Sequence, residues 1–155
     1  MDNNKNIGQR GKKAEADVRK ILERLKSEKV DFDYERKYDA RSSMGRIPSQ
    51  TGDFGFFTPA CHGIIEVKEV AHDFRLPRKN LGSEQIAKMH VRMLAGGAIV
   101  MLIYHSTTGA WRCPDFSRFL VQRDVPSWDL SDEPTFVTAR AALETVQYGG
   151  DYIFR

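Results

Sequence analysis

Three side chains in two neighbouring apolar segments carry the chemistry this sequence can perform. Asp53 stands in "GDFGFF", and Glu66 and Lys68 stand in "GIIEVKEV", with the turn-like "TPACHG" between the segments. In a strand, alternate side chains share a face, so Glu66 and Lys68 point one way while Ile65 and Val67 point the other. If Phe57 and His62–Gly63 flank the turn, Asp53 comes opposite Val67 or Lys68, within cross-strand reach of Glu66 and Lys68. Two carboxylates brought together in a half-buried sheet repel one another unless a cation sits between them. A hard divalent ion, Mg²⁺ with Mn²⁺ as substitute, suits such oxygen ligands, and the Val67 carbonyl supplies a third. Lys68 would then hold a water for attack on a phosphodiester or offset charge on the phosphate, with the metal activating that water. The same spacing equally allows an Asp53–Lys68 ion pair with Glu66 solvated, which would contribute little.

The elements that must position these residues follow from periodicity. Ala14, Val18, Ile21, Leu22 and Leu25 predict an amphipathic helix over 12–28, with Glu15 just past the edge of its apolar arc. A short strand falls within 30–38. The Ser-, Gly- and Arg-rich residues 38–50 read as a mobile basic loop. Strands are expected over 53–57 and 63–70, then a connector "HDFRLPRKNLG". Ser83 is placed as the cap of a helix over 84–95 that Gly96 and Gly97 close, its apolar stripe being Ile86, Met89, Met93 and Leu94. The continuous apolar run "AIVMLIY" predicts a strand at 98–104 buried on both faces. A strand near Trp111, a helix over 115–122, a loop over 125–134 and a helix over 136–147 follow, and "DYIFR" reads as a small strand or tail. The class is α/β (α+β mixed), with a central mixed sheet flanked by helices.

Length and composition frame this reading. The chain has 155 residues, 41% hydrophobic and 29% charged, which fits a single domain, 1–155, with an ordinary core. No apolar run is long enough to span a membrane, and the polar N-terminus lacks a signal-peptide core, so a cytoplasmic location is expected. Cys61 and Cys113 are isolated and read as reduced thiols. The net charge of +3 is uneven: residues 101–155 hold five Arg against seven acidic residues, leaving the first hundred residues basic. A basic front half suits a polyanion. His90 reads as a buried or interface histidine, His62 as solvated, and Trp111 and Trp128 as packing residues. His72 and Asp73, after the motif strand, are weak ligand candidates.

The motif Asp53…Glu66-x-Lys68 resembles that of PD-(D/E)xK nucleases, with Gly52 where Pro often stands. The run "GIIEVKEVAHDFRLPRKNLGSEQIAKMHVRML" is similar to that of RecU-type Holliday junction resolvases, as are "GAIVMLIYH" and "WRCPDFSRFL"; the resemblance covers about residues 51–120. It implies a restriction-endonuclease-like core, Asp53 and Glu66 as metal ligands and Lys68 as catalytic. It also implies that Gln85 orients a water or phosphate and that Glu15 is a supporting carboxylate. Thr51 lies near a family threonine, offset by Gly52. The family's stalk, which enters the junction, falls in the region of residues 38–50.

The implied substrate is a four-way DNA junction, cut by metal-dependent hydrolysis on two opposed strands. Paired cuts need two sites related by a twofold axis, which a homodimer supplies. A broad basic surface serves such a substrate better than base reading. Arg36, Lys37, Arg41, Arg46, Arg75, Arg78 and Lys79 are the residues expected on phosphates, with Lys88 and Arg92 beside Gln85 on one helix face. Two other readings stay open: a related nuclease acting on nicks, flaps, ends or a restriction site, and a non-catalytic DNA-binding module.

Overall fold

The glycine before Asp53 decides where the first catalytic candidate begins its strand. Gly52 has φ +79°, a left-handed conformation that proline's ring forbids. A Cβ at Gly52 would lie 3.2 Å from Ile64 Cβ and 3.3 Å from the Ile65 carbonyl oxygen. Glycine is the one residue that this tight entry admits.

The computed structural model describes residues 7–38 and 51–155. Helix α1 (Ile7–Glu28) leads into β1 (Asp33–Arg36), β2 (Phe54–Phe57) and β3 (His62–Val70). After β4 (Arg75–Pro77) come α2 (Ser83–Leu94), β5 (Ala98–His105) and β6 (Ala110–Arg112). The chain ends with α3 (Ser117–Val121), β7 (Ser127–Asp129), α4 (Ala139–Leu143), β8 (Gln147–Tyr148) and β9 (Asp151–Tyr152). The main sheet has the order β1-β2-β3-β5-β6. β3 and β5 are parallel, joined through α2, and the other neighbours are antiparallel. This is the mixed sheet flanked by helices that the sequence pattern predicts.

Each face of the sheet carries its own core. On one, Ala14, Val18, Leu22 and Leu25 of α1 pack with Phe54, Phe56, Ile65, Val100 and Leu102, and with α4 and Phe154. On the other, Ile86 and Met89 of α2 pack with Ile64, Val70, Met101 and Ile103, together with Phe119, Trp128 and Leu130. Gly63 lets β3 and β5 close up at their start: a Cβ there would sit 2.3 Å from the Ala98 carbonyl oxygen. Trp111 and Trp128 are both buried, as packing residues should be.

Several expectations are corrected. The segments read as a connector and a loop contain β4 and β7, which pair antiparallel. Leu76 and Trp128 lie opposite each other there, and both are fully buried, so three-residue strands suffice. Ser83 is the first residue of α2 and Gly82 the cap; the Ser83 hydroxyl instead accepts a hydrogen bond from Arg78 (2.8 Å). The helix expected over 136–147 is only α4, because Phe136 bridges to Trp111 as an extended residue. Thr138 then caps α4, its hydroxyl accepting from the Ala141 N–H at 3.1 Å. Gly149 and Gly150, both at positive φ, turn β8 back onto β9 in the manner of a two-residue hairpin. The basic loop 38–50, apart from Tyr38, lies outside the described residues, and with it Arg41 and Arg46.

Candidate active site

β3 is anchored by Ile65 on the α1 face and by Ile64 and Val70 on the α2 face. Strand alternation sends Glu66 and Lys68 to the α2 face. Glu66 is 3% exposed, an ionisable side chain on an interior strand of the sheet. Its Oε1 lies 2.6 Å from Lys68 Nζ. Lys68 also reaches Gln85 Oε1 on the first turn of α2, at 3.4 Å.

Asp53 enters from the neighbouring strand. The ladder ends where Phe54 pairs with Ile65, and Asp53, the residue before β2, meets that same Ile65 through its backbone rather than standing opposite Val67 or Lys68 as expected. Its N–H donates to the Ile65 carbonyl at 2.9 Å, and its Oδ2 accepts from the Val67 N–H at 2.7 Å. The carboxylate is thus fixed against β3 by backbone. Burial, then the charge of Glu66, pushes the Asp53 carboxyl up to about 8, against the pull of the Val67 N–H and Lys68. Asp53, Glu66, Lys68 and Gln85 are therefore brought together.

The Asp53–Lys68 ion pair weighed from sequence is not what forms, since Lys68 pairs with Glu66. Glu15, on α1, accepts two bonds from Arg36 (3.0 and 3.2 Å). It still adds to the negative field that raises Asp53.

Among the described residues no group of three or more His, Cys, Asp and Glu side chains is placed to hold a metal. The two carboxylates that converge are those of Asp53 and Glu66. Ile65 and Val67 turn their peptide groups toward β2, whereas Val70 turns its carbonyl toward β5, bonding Ser106. A strand residue points its N–H and C=O to the same side, so the Val67 carbonyl faces the Asp53 edge.

The basic residues divide. Arg36 is taken up by Glu15 and lies over the Tyr38 ring at 5.7 Å. Lys37 donates its backbone N–H to the Asp53 carbonyl (2.8 Å) and pairs with Glu35 at 3.3 Å. Arg75 meets Ser127 and Asp129 across the β4–β7 pair. Arg78 stacks over Trp128 at 5.1 Å. Lys88 pairs with Glu84 at 2.9 Å, while Lys79 and Arg92 are exposed. Cys61 and Cys113 are free thiols, Cys113 pushed up to about 12 by burial. His105 and Arg112, missed from sequence, are buried polar residues on the Lys68 face. Their only signal was a polar residue at the inward position of each apolar strand.

Comparison with solved structures gives a neighbour for the fold. Hjc of Archaeoglobus fulgidus, a Holliday junction resolvase from an archaeal hyperthermophile, superposes with a TM-score of 0.53 over 79% of this chain and 95% of its own. The two share a fold. Their sequences are 16% identical, so the likeness is one of architecture. No protein-family model and no curated protein matches the sequence. Among the described residues no helix is long and apolar enough to cross a membrane.

Proposed function

We propose that this chain is a Mg²⁺-dependent, structure-selective DNA endonuclease that resolves four-way junctions as a homodimer. The observation that carries this reading is the buried Glu66 held 2.6 Å from Lys68 beside an Asp53 whose carboxyl burial, and then Glu66, pushes up. Burying like charges together costs stability, and the cost has a use if a cation neutralises them. The donors are all hard oxygens, which fits Mg²⁺ or Mn²⁺: Asp53, Glu66 and the Val67 carbonyl would hold the ion. Bound there, the ion supplies Lewis-acid polarisation of the phosphate and a lowered pKa for water.

The side chains do the rest. The Val67 N–H orients the Asp53 carboxylate. Lys68 is steadied by Glu66 and Gln85, with its ammonium aimed where charge develops on the scissile phosphate. Gln85 orients the attacking water from the first turn of α2. In-line attack breaks the bond to the 3′ oxygen and leaves 5′-phosphate and 3′-hydroxyl ends. The resolvase fold of Hjc and the uneven basic charge support a branched DNA substrate, and a twofold dimer gives the paired cuts.

The test is cleavage of a synthetic four-way junction beside matched linear, nicked and flap duplexes, with Mg²⁺ and with EDTA. Symmetrical cuts on opposed strands, abolished by EDTA, are expected. Asp53→Asn and Glu66→Gln should each lower the rate by a factor of about 10² or more. Preference for nicks or flaps would identify a related nuclease, and binding without cleavage in either metal would leave only a DNA-binding module.

A further inference from the structure

The chain that leaves β3 after Lys68 is held in an unusual way. Residues Ala71, His72, Asp73, Phe74 and Arg75 are all exposed, yet their backbone is not loose. The carbonyls of Val70, Ala71, His72 and Asp73 accept in turn from the Ser106 N–H, the Thr107 hydroxyl, the His105 ring and the Arg112 guanidinium. The Phe74 carbonyl then accepts from the Leu130 N–H at 2.8 Å. A surface strap is thus fixed through its carbonyls while its side chains face outward.

Two of those donors are costly to place. His105 is 0% and Arg112 7% exposed. His105 Nε2 and Arg112 Nε have no hydrogen-bond partner among the described residues. Within the described residues no carboxylate pairs with Arg112; its one bond is to the Asp73 carbonyl, at 2.7 Å. A buried guanidinium without a counter-ion is worse for stability than an apolar side chain of similar volume. Holding the strap in one place accounts for it.

The strap begins three residues beyond Lys68, about 10 Å along the strand. Its one aromatic, Phe74, is 38% exposed, with the Arg75 guanidinium 5.4 Å from its ring centroid. A flat ring with a cation beside it is what an unstacked base and its phosphate engage. The centre of a branched DNA offers such bases. We infer that the strap Ala71–Arg75 is a DNA-contacting rim of the active site, Phe74 its base-stacking surface, and His105 and Arg112 positioning residues that set where it stands. This rests on the nuclease reading above.

The experiment measures kcat and KM for a synthetic four-way junction in Mg²⁺, with thermal melting, for wild type, Phe74→Ala, Arg112→Met and Arg112→Lys. Phe74→Ala should raise KM about tenfold, with kcat and melting temperature kept. Arg112→Met should raise KM by a similar factor, while Arg112→Lys, which can still donate to the Asp73 carbonyl, stays nearer wild type. The double variant Phe74→Ala/Arg112→Met should be little worse than either single one. An unchanged KM in Phe74→Ala overturns the rim. It does so even if Arg112→Met fails to fold, since Phe74 is a surface change. A lowered melting temperature with wild-type KM in Arg112→Met reduces His105 and Arg112 to scaffold. If wild type binds without cutting, the same comparison is read on Kd. If wild type neither binds nor cuts while staying folded, the nuclease reading has failed first, and the rim falls with it.

Discussion

At the level of single residues, the site is a balance of charge that the fold does not resolve by itself. Asp53 is held by the Val67 N–H (2.7 Å) but pushed up to about 8 by burial and by Glu66. A carboxyl whose folded pKa is raised contributes most below its ordinary value and loses that contribution as pH climbs through the folded one. The metal-free protein should therefore lose thermal stability between about pH 4 and pH 8, and Asp53→Asn should flatten that loss; melting curves across this window check it. Asp53→Asn should then be the more stable but inactive variant, a common trade at functional sites. Gly52 is the second point. Alanine at its φ of +79° costs about 1–2 kcal/mol, and proline cannot adopt it. Gly52→Pro should therefore abolish cleavage by displacing Asp53, whereas Gly52→Ala should lower stability measurably in urea.

Among the elements, what was legible depended on length. The apolar arc of α1, the run of β5 and the alternation of β3 are long enough for periodicity to speak, and each is found. The tight turn at Thr58–Cys61 sets Phe57 opposite His62, as the flanks expected from sequence require, but the ladder stops at Phe54, and Asp53 meets Ile65 through its backbone instead of continuing the register. The Thr58 hydroxyl bonds the Cys61 carbonyl at 2.9 Å. β4 and β7 were illegible: each has three residues, and only their mutual burial through Leu76 and Trp128 makes them strands. α4 shrank because Phe136 and Thr138 serve a bridge and a cap. Removing that cap with Thr138→Ala should cost about 1 kcal/mol in denaturant unfolding. Emptying the α1 face with Leu22→Ala should cost about 2–5 kcal/mol. Asp53, Glu66, Lys68 and Gln85 were readable because their strand and helix frames were. His105 and Arg112 were not, since carbonyls carry no sequence signature.

For the molecule as a whole, a mixed sheet with α1 and α4 on one face and α2 and α3 on the other sets Asp53, beside β2, against Glu66 and Val67 of the interior strand β3. The fold alone is shared with a Holliday junction resolvase. The bias of positive charge to the front hundred residues predicts that junction binding weakens steeply with salt, as a filter-binding series would show. The central claim is narrower, and calorimetry tests it most directly. Mn²⁺ titrated into the folded wild-type protein should give saturable binding, lost in both Asp53→Asn and Glu66→Gln. No binding to wild type, or binding undiminished in those variants, would contradict the account.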